Sequence, residues 1–115
     1  MPPLPPQACG VTQPHDVEWM RRRMRFHPLK TMLQSLSLSN PAAAALPRTF
    51  IYCNNPAIGF FKPFADRAQE EGWQYRELPT GHTSMITAPR ELAAMLIELS
   101  QQSVRSTRAT SGTNR

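Results

Sequence analysis

The feature that most limits how this chain can fold is the alternation of strand-like and helix-like segments in its second half. The run Thr49-Phe-Ile-Tyr-Cys53 is short, apolar and rich in β-forming residues, which is typical of a strand buried on both faces. A helical segment follows it, and Gly72 stands where a helix C-cap favours a residue without Cβ. The run from Trp73 to Leu78 predicts a second strand, and a second helix follows. This order predicts a mixed α/β unit with two parallel strands joined by a right-handed crossover.

The second helix is predicted to begin at Pro89 and to end near Ser100. Proline fits the first helical position, and Glu91 lies in the positively polarised first turn. Its expected buried stripe consists of Leu92, Met95, Leu96 and Leu99.

Composition divides the chain into four segments. Residues 1–13 are rich in proline, with four of the 12 prolines, and are expected to be extended. Residues 14–46 are expected to be mainly helical. Residues 47–100 form the predicted βαβα unit, and residues 101–115 are polar and basic and are expected to be disordered.

The helical segment has one apolar face and a run of arginines. Val17, Met20 and Met24 recur at helical spacing, and a second short helix is predicted from Leu29 to Leu36. Arginines mostly fill the rest of the first helix, which is typical of a solvated face. The alternative is a phosphate-contacting patch, which would combine Arg21, Arg22, Arg23 and Arg25 with Arg105, Arg108 and Arg115.

The net charge of +5 is concentrated at the two ends of the chain. Residues 1–48 carry +4 and residues 101–115 carry +3, whereas residues 49–100 carry −2. We therefore do not expect the folded unit to present a nucleic-acid surface. The sequence contains neither a membrane-length apolar stretch nor a secretory signal, so we expect a cytoplasmic protein without a membrane partner.

The candidate catalytic residue is His82, which lies in the loop Leu78-Pro-Thr-Gly-His82. Loops at the carboxyl ends of parallel strands are where α/β proteins place reactive groups. A histidine in such a loop can accept a proton from a nucleophile near neutral pH. The alternative from position alone is a surface or packed loop histidine without a chemical role.

Residues 47–99 resemble the end of an α/β-hydrolase, closest to the esterase and hydroxynitrile-lyase-like branch. The resemblance rests on the order of Pro-Arg-Thr-Phe-Ile-Tyr-Cys, Phe-Ala-Asp-Arg-Ala, Gly-Trp-Gln-Tyr-Arg-Glu-Leu-Pro-Thr-Gly-His and Ala-Pro-Arg-Glu-Leu-Ala-Ala-Met-Leu. Residues 16–31 are similar to part of the cap that such enzymes insert before the penultimate strand. The resemblance implies that His82 is the general base of an enzyme that cleaves ester or similar acyl bonds.

The nucleophile of the family's catalytic triad is missing from the sequence. No Gly-x-Ser-x-Gly elbow is present, and the family's chain order implies that the nucleophilic serine would precede Met1. We therefore expect a C-terminal portion of the fold that is inactive alone. Ser84, on the same loop as His82, is poorly placed to act as the nucleophile.

The catalytic acid is also in doubt. The family commonly has an aspartate just after the penultimate strand, where this chain has Cys53-Asn54-Asn55-Pro56. Asn54 or Asn55 could orient the imidazole by accepting a hydrogen bond, as the Asn of Cys-His-Asn proteases does. Other hydrolases take the acid from the preceding strand. Asp66, inside the next helix, is more typical of a solvent-facing or paired carboxylate.

The remaining reactive residues predict no further chemistry. His15 and His27 lack a third ligand at suitable spacing, so we expect no metal site. Cys9 and Cys53 are too few and too far apart for a disulfide scaffold or a zinc ribbon, and Cys53 is interpreted as a small buried hydrophobe. We also expect no cofactor.

Two functions remain open at this point. One is a hydrolase portion acting on a small ester-like substrate. The alternative is a non-catalytic protein that binds a protein partner or nucleic acid through an open sheet edge or through the basic helix and tail.

Overall fold

The computed structural model describes residues 1–110, together with the side chains of residues 1–43 and 45–102. Its strands are β1 (Thr49–Cys53) and β2 (Gln74–Leu78). The α-helices in this part of the chain are α1 (Pro14–Arg23), α2 (Lys30–Leu33), α3 (Lys62–Glu70), α4 (Ser84–Thr87) and α5 (Pro89–Thr110). Short 3₁₀ turns lie at Pro6–Cys9, Pro41–Ala45 and Gly59–Phe61.

The sheet confirms the predicted α/β class. β1 and β2 pair in parallel, with Thr49 opposite Gln74 and Cys53 opposite Leu78. α3 lies between them in the chain and contacts both strands. The carboxyl ends of β1 and β2 therefore meet at one edge of the sheet, where the chain places the His82 loop.

Helix α3 packs through small residues. Ala65 and Ala68 are buried, and two alanines allow the helix to approach the strands closely. The helix ends as the sequence predicts: Gly72 has φ +72°, a conformation that L side chains rarely adopt. The backbone N–H of Trp73 then donates to the carbonyl of Ala68 at 2.9 Å and leads the chain into β2.

A second apolar cluster forms at the N-terminal end of the chain. Val17 and Met20 are buried on α1, as predicted, and Met24 is half-buried against them. Val11 joins this cluster with no exposed surface. The prediction that residues 1–13 are simply extended is therefore wrong. A 3₁₀ turn and Gly10, with φ +80°, redirect the chain so that Val11 enters the core.

Two local predictions fail for lack of burial. The helix predicted from Leu29 to Leu36 is reduced to α2, because all side chains from residue 29 to 39 are exposed and so short a helix gains no packing. β1 is not buried on both faces: Tyr52 is its only buried residue, since a sheet of two strands leaves part of each face uncovered.

Helix α5 differs from its predicted form in its length and in which apolar residues are buried. Leu99 is buried and Leu92 and Met95 are half-buried, but Leu96 is 51% exposed. The helix continues past Ser100 to Thr110, so the first ten residues of the segment 101–115, expected to be disordered, are helical. Residues 111–115 lie outside the described part of the chain. Among the residues that the structure describes, no helix combines the length and apolarity needed to cross a bilayer.

Candidate functional site

His82 lies four residues beyond the end of β2, in the loop that joins this strand to α4. Its side chain is exposed at the edge where the carboxyl ends of the two parallel strands meet. This is the edge at which open α/β sheets bind ligands.

The backbone around His82 is held by several hydrogen bonds. The carbonyl of Thr80 accepts from the backbone N–H of Asn55 at 3.1 Å. The buried Thr80 hydroxyl lies 2.6 Å from the hydroxyl of Thr87 on α4. Thr83 donates both its N–H and its hydroxyl to the carbonyl of Cys9, at 3.3 and 2.7 Å. The loop is therefore fixed on both sides of His82 while the imidazole projects outward.

The imidazole of His82 stacks on the ring of Phe61. The ring centroids are 4.2 Å apart and the ring planes differ by 17°. Phe61 ends the 3₁₀ turn that leads into α3, on the loop side of β1. The sequence pattern alone did not predict this contact of Phe61 with His82. The available signal was an aromatic residue just before a helix that starts at the same sheet edge as His82.

A pocket of about 320 Å³ opens beside the imidazole. Residues of β1 and of the His82 loop border it. The lining residues are Phe50, Ile51, Tyr52, Cys53, Phe61, His82, Ser84 and Leu92. A mostly apolar pocket with a single exposed imidazole suits a small apolar acyl or alcohol group next to a proton acceptor.

The two predicted imidazole orienters directly follow β1 and have other hydrogen-bond partners. The side-chain amide of Asn54 donates to a carboxylate oxygen of Glu77 on β2 at 2.9 Å. Asn55 is exposed and uses its backbone N–H to bond Thr80. Among the described residues, no side chain hydrogen-bonds the ring of His82, so the orienting role of Asn54 or Asn55 stays a prediction.

The other candidate nucleophile and acid both lie in helices. Ser84 is 6% exposed and is the first residue of α4, although it lines the same pocket as His82. Asp66 pairs with Lys62 one turn earlier on α3, and this hydrogen bond raises the pKa of Lys62 above its usual value. Cys53 is a half-buried free thiol at the end of β1.

The structure does not assemble a metal site from the two remaining histidines. His15 lies 3.0 Å from the carboxylate of its neighbour Asp16, and His27 contacts the hydroxyl of Thr31. No group of three His, Cys, Asp or Glu residues in the described part of the chain is arranged to hold a metal ion.

The arginine run on α1 has local partners. The guanidinium of Arg23 stacks over Trp19 at 4.2 Å. Arg22 lies 3.8 Å from Glu18, and Arg25 donates to the carbonyls of Arg22 and Met24. These contacts are those of a solvated helix face.

A charged cluster stands at the opposite end of the strands. The Glu71 carboxylate accepts from Nε of Arg67 at 2.6 Å and from the indole N–H of Trp73 at 3.1 Å. Arg48 lies 4.0 Å from the same carboxylate. The hydrogen bond from Arg67 is the main cause that holds the pKa of Glu71 below its ordinary value. This cluster joins the end of α3 to the starts of both strands.

Comparison with known proteins shows similarity to an esterase. The chain is 30% identical over 102 residues to a carbendazim hydrolyzing esterase from Nocardioides sp. (strain SG-4G). The match covers 79% of this chain and 42% of the esterase, so the chain spans less than half the length of this relative. No protein-family model matches the sequence, and no solved structure gives a significant match. The similarity fits a relationship to hydrolases.

Proposed function

We propose that this chain is the histidine-bearing C-terminal portion of an α/β-hydrolase that cleaves ester bonds, with His82 as the general base. The observation that carries the proposal is the exposed imidazole at the carboxyl ends of two parallel strands, beside a pocket of about 320 Å³. The similarity to an esterase supports the same reaction class.

In the proposed reaction, His82 moves a proton in each of two half-reactions. A serine hydroxyl attacks the ester carbonyl while His82 accepts the hydroxyl proton, and backbone N–H groups stabilise the oxyanion. His82 then gives the proton to the departing alcohol, leaving an acyl-serine. In the second half-reaction, His82 accepts a proton from water as the water oxygen attacks the carbonyl of the acyl-serine. The bond to the serine oxygen then breaks, the carboxylic acid leaves, and His82 returns the proton to the serine oxygen.

His82 is suited to this role by its contacts. The loop backbone is hydrogen-bonded on both sides of the residue, and Phe61 fixes the plane of the ring. Both ring nitrogens are free of side-chain partners within the described residues, so one can face a serine and the other can face an orienting acceptor.

The serine elbow does not occur in these 115 residues, so we propose that the chain alone does not hydrolyse esters by this mechanism. Loss of the nucleophile in triad enzymes lowers turnover on the order of a millionfold. We expect the purified chain to show no saturable hydrolysis of p-nitrophenyl acetate that a fluorophosphonate abolishes. Saturable activity lost both to that reagent and in His82→Ala would contradict this expectation and would implicate Ser84.

The role of His82 can be tested in a chimera. Residues 1–100 of this chain would replace the matching segment of the Nocardioides esterase, and hydrolysis of p-nitrophenyl acetate would be measured. We expect an active chimera whose turnover falls on the order of a millionfold in His82→Ala, since a triad base is removed.

The matched control is His27→Ala, an exposed histidine far along the chain from the loop, which we expect to leave activity unchanged. Circular dichroism of each chimera separates lost chemistry from lost folding. A folded chimera that is inactive, or one whose activity survives His82→Ala, would contradict the proposal.

A further inference from the structure

The loop that carries His82 contacts a segment more than 70 residues earlier in the chain. Its two partners there are Cys9 and Gly10, which follow the first 3₁₀ turn. We propose that residues 9–11 are a positioning element for His82, and that Gly10, Gly81 and Thr83 set the place of its imidazole.

The first contact is between two glycine backbones on the N-terminal side of His82. A Cβ on Gly10 would lie 2.7 Å from the Cα of Gly81 and 3.3 Å from the backbone nitrogen of His82. A Cβ on Gly81 would lie 2.8 Å from both the Cα and the carbonyl oxygen of Gly10. Distances below 3 Å leave no room for any side chain, so this approach requires glycine at both positions.

The second contact lies on the C-terminal side of His82. Thr83 donates its hydroxyl to the carbonyl of Cys9 at 2.7 Å and its backbone N–H to the same oxygen at 3.3 Å. One carbonyl of the N-terminal segment therefore accepts twice from the residue that follows His82. Together with the glycine contact, this fixes the backbone immediately before and immediately after the imidazole.

The segment can hold the loop because the segment itself is anchored. Val11 has no exposed surface and packs in the core with Val17 and Met20, against which Ile86 of α4 also packs. At the other end, the backbone groups of Met1 and His27 exchange two hydrogen bonds of 2.9 Å.

This inference concerns the place of the imidazole and becomes a statement about catalysis only through the proposed function. Its test therefore measures His82 directly in the 115-residue chain, without any hydrolysis assay. Stacking on Phe61 at 4.2 Å places the His82 ring protons in the shielding region of an aromatic ring. Their upfield displacement in the proton NMR spectrum reports whether the imidazole keeps its place.

The glycine contact is tested by two pairs of matched variants. Gly81→Ala adds only a steric clash with the backbone of Gly10, since the φ of Gly81 is not positive. Its control is Gly59→Ala, because a Cβ on Gly59 would meet no atom within 4 Å. Gly10→Ala adds a clash and an unfavourable φ, and Gly72→Ala is its control with the same φ constraint and open space. We expect the upfield shift of His82 to be lost in Gly81→Ala and Gly10→Ala and kept in both controls.

The hydroxyl contact gives a test that does not depend on how well the glycine variants fold. We expect Thr83→Val to reduce the upfield shift of His82, because the hydroxyl bond to Cys9 is lost. Thr83→Ser keeps the hydroxyl and should restore it. Thr49→Val removes a comparable exposed hydroxyl bond at the other end of β1 and should leave the shift unchanged.

The indole N–H signals of Trp19 and Trp73 report whether each variant is folded. Wild-type His82 shifts in a folded Gly81→Ala protein would overturn the inference. Where the glycine variants do not fold, wild-type shifts in Thr83→Val would overturn it, and equal losses in Thr83→Val and Thr83→Ser would do so as well. An inactive chimera with these shifts behaving as expected would reject the proposed function and leave the positioning element standing.

Discussion

At the scale of single residues, the described chain depends on a small number of buried apolar side chains. The buried set is Val11, Val17, Met20, Tyr52, Ala65, Ala68, Leu78 and Leu99. Most of the other large apolar side chains are partly or well exposed. Each buried residue therefore carries a large share of the stability, and substitutions of the same type should differ sharply in effect according to burial.

Leu78 and Leu36 provide a matched pair for this expectation. Leu78 ends β2 and is 4% exposed, whereas Leu36 is 83% exposed. We expect Leu78→Ala to lower the free energy of unfolding by about 2–5 kcal/mol, through lost apolar burial and the cavity left behind. Leu36→Ala should change it by less than about 0.5 kcal/mol. Urea denaturation measures both, and similar midpoints for the two variants would contradict the burial pattern.

Substitution of Gly72 should reveal how much a left-handed backbone conformation alone costs in free energy of unfolding. Its φ is +72° and a Cβ there would meet no atom within 4 Å. We expect Gly72→Ala to lower the free energy of unfolding by about 1–2 kcal/mol, the cost of a left-handed conformation for a residue with a Cβ. Gly59→Ala, also in open space but without positive φ, should cost less when measured by thermal unfolding. Equal costs for the two variants would show that the conformation of Gly72 is not the cause.

At the scale of elements, the parts that follow from local sequence are the parts that could be predicted. β1, α3 and β2 were predictable because each has its own period and its own stop signal, as Gly72 shows. The contact of Cys9 with Thr83 and the stack of Phe61 on His82 were not, because they join residues far apart in the chain. The length of α2 was missed because periodicity does not reveal whether a partner surface exists to bury a helix.

The turn between α3 and β2 should give the chain a measurable pH dependence. The Arg67 hydrogen bond lowers the pKa of Glu71 from its ordinary 4.5, so the folded state binds this proton less readily than the unfolded state. The resulting stability is fully present above about pH 4.5 and is lost as the pH falls through the lower folded pKa.

We therefore expect Glu71→Gln to lower the urea midpoint at about pH 7, with the difference from the wild type shrinking at about pH 3. Glu70→Gln, a change to an exposed carboxylate one residue earlier, is the matched control and should alter the midpoint less. A difference between Glu71→Gln and the wild type that is constant with pH would contradict this assignment.

At the scale of the whole molecule, the described chain is extended. Its radius of gyration is 17.8 Å and its principal extents are 59 × 34 × 24 Å, whereas a compact domain of this length has a radius of about 13 Å. The connection between α1 and β1 contributes much exposed apolar surface. Its exposed apolar side chains include Phe26, Leu29, Met32, Leu33, Leu36, Leu38 and Leu46.

This surface should bind an apolar dye while contributing little to the free energy of unfolding. We expect 8-anilinonaphthalene sulfonate to fluoresce with the native chain, and the double variant Leu36→Ser and Leu38→Ser to reduce that fluorescence. Both side chains are 83% exposed, so the free energy of unfolding should change by less than about 1 kcal/mol. A strongly destabilised double variant would show that these leucines are packed in solution.

The pairing of Thr83 with Cys9 also sets an order of events during synthesis. The two residues are 74 positions apart, so at about 5–20 residues per second the ribosome makes the second one about 4–15 s after the first. Throughout that interval, the carbonyl of Cys9 lacks its hydrogen-bond donor Thr83, and the backbone of Gly10 lacks its contact with Gly81. The histidine loop is thus completed only after Thr83 has been made and meets a segment that was synthesised 74 residues earlier.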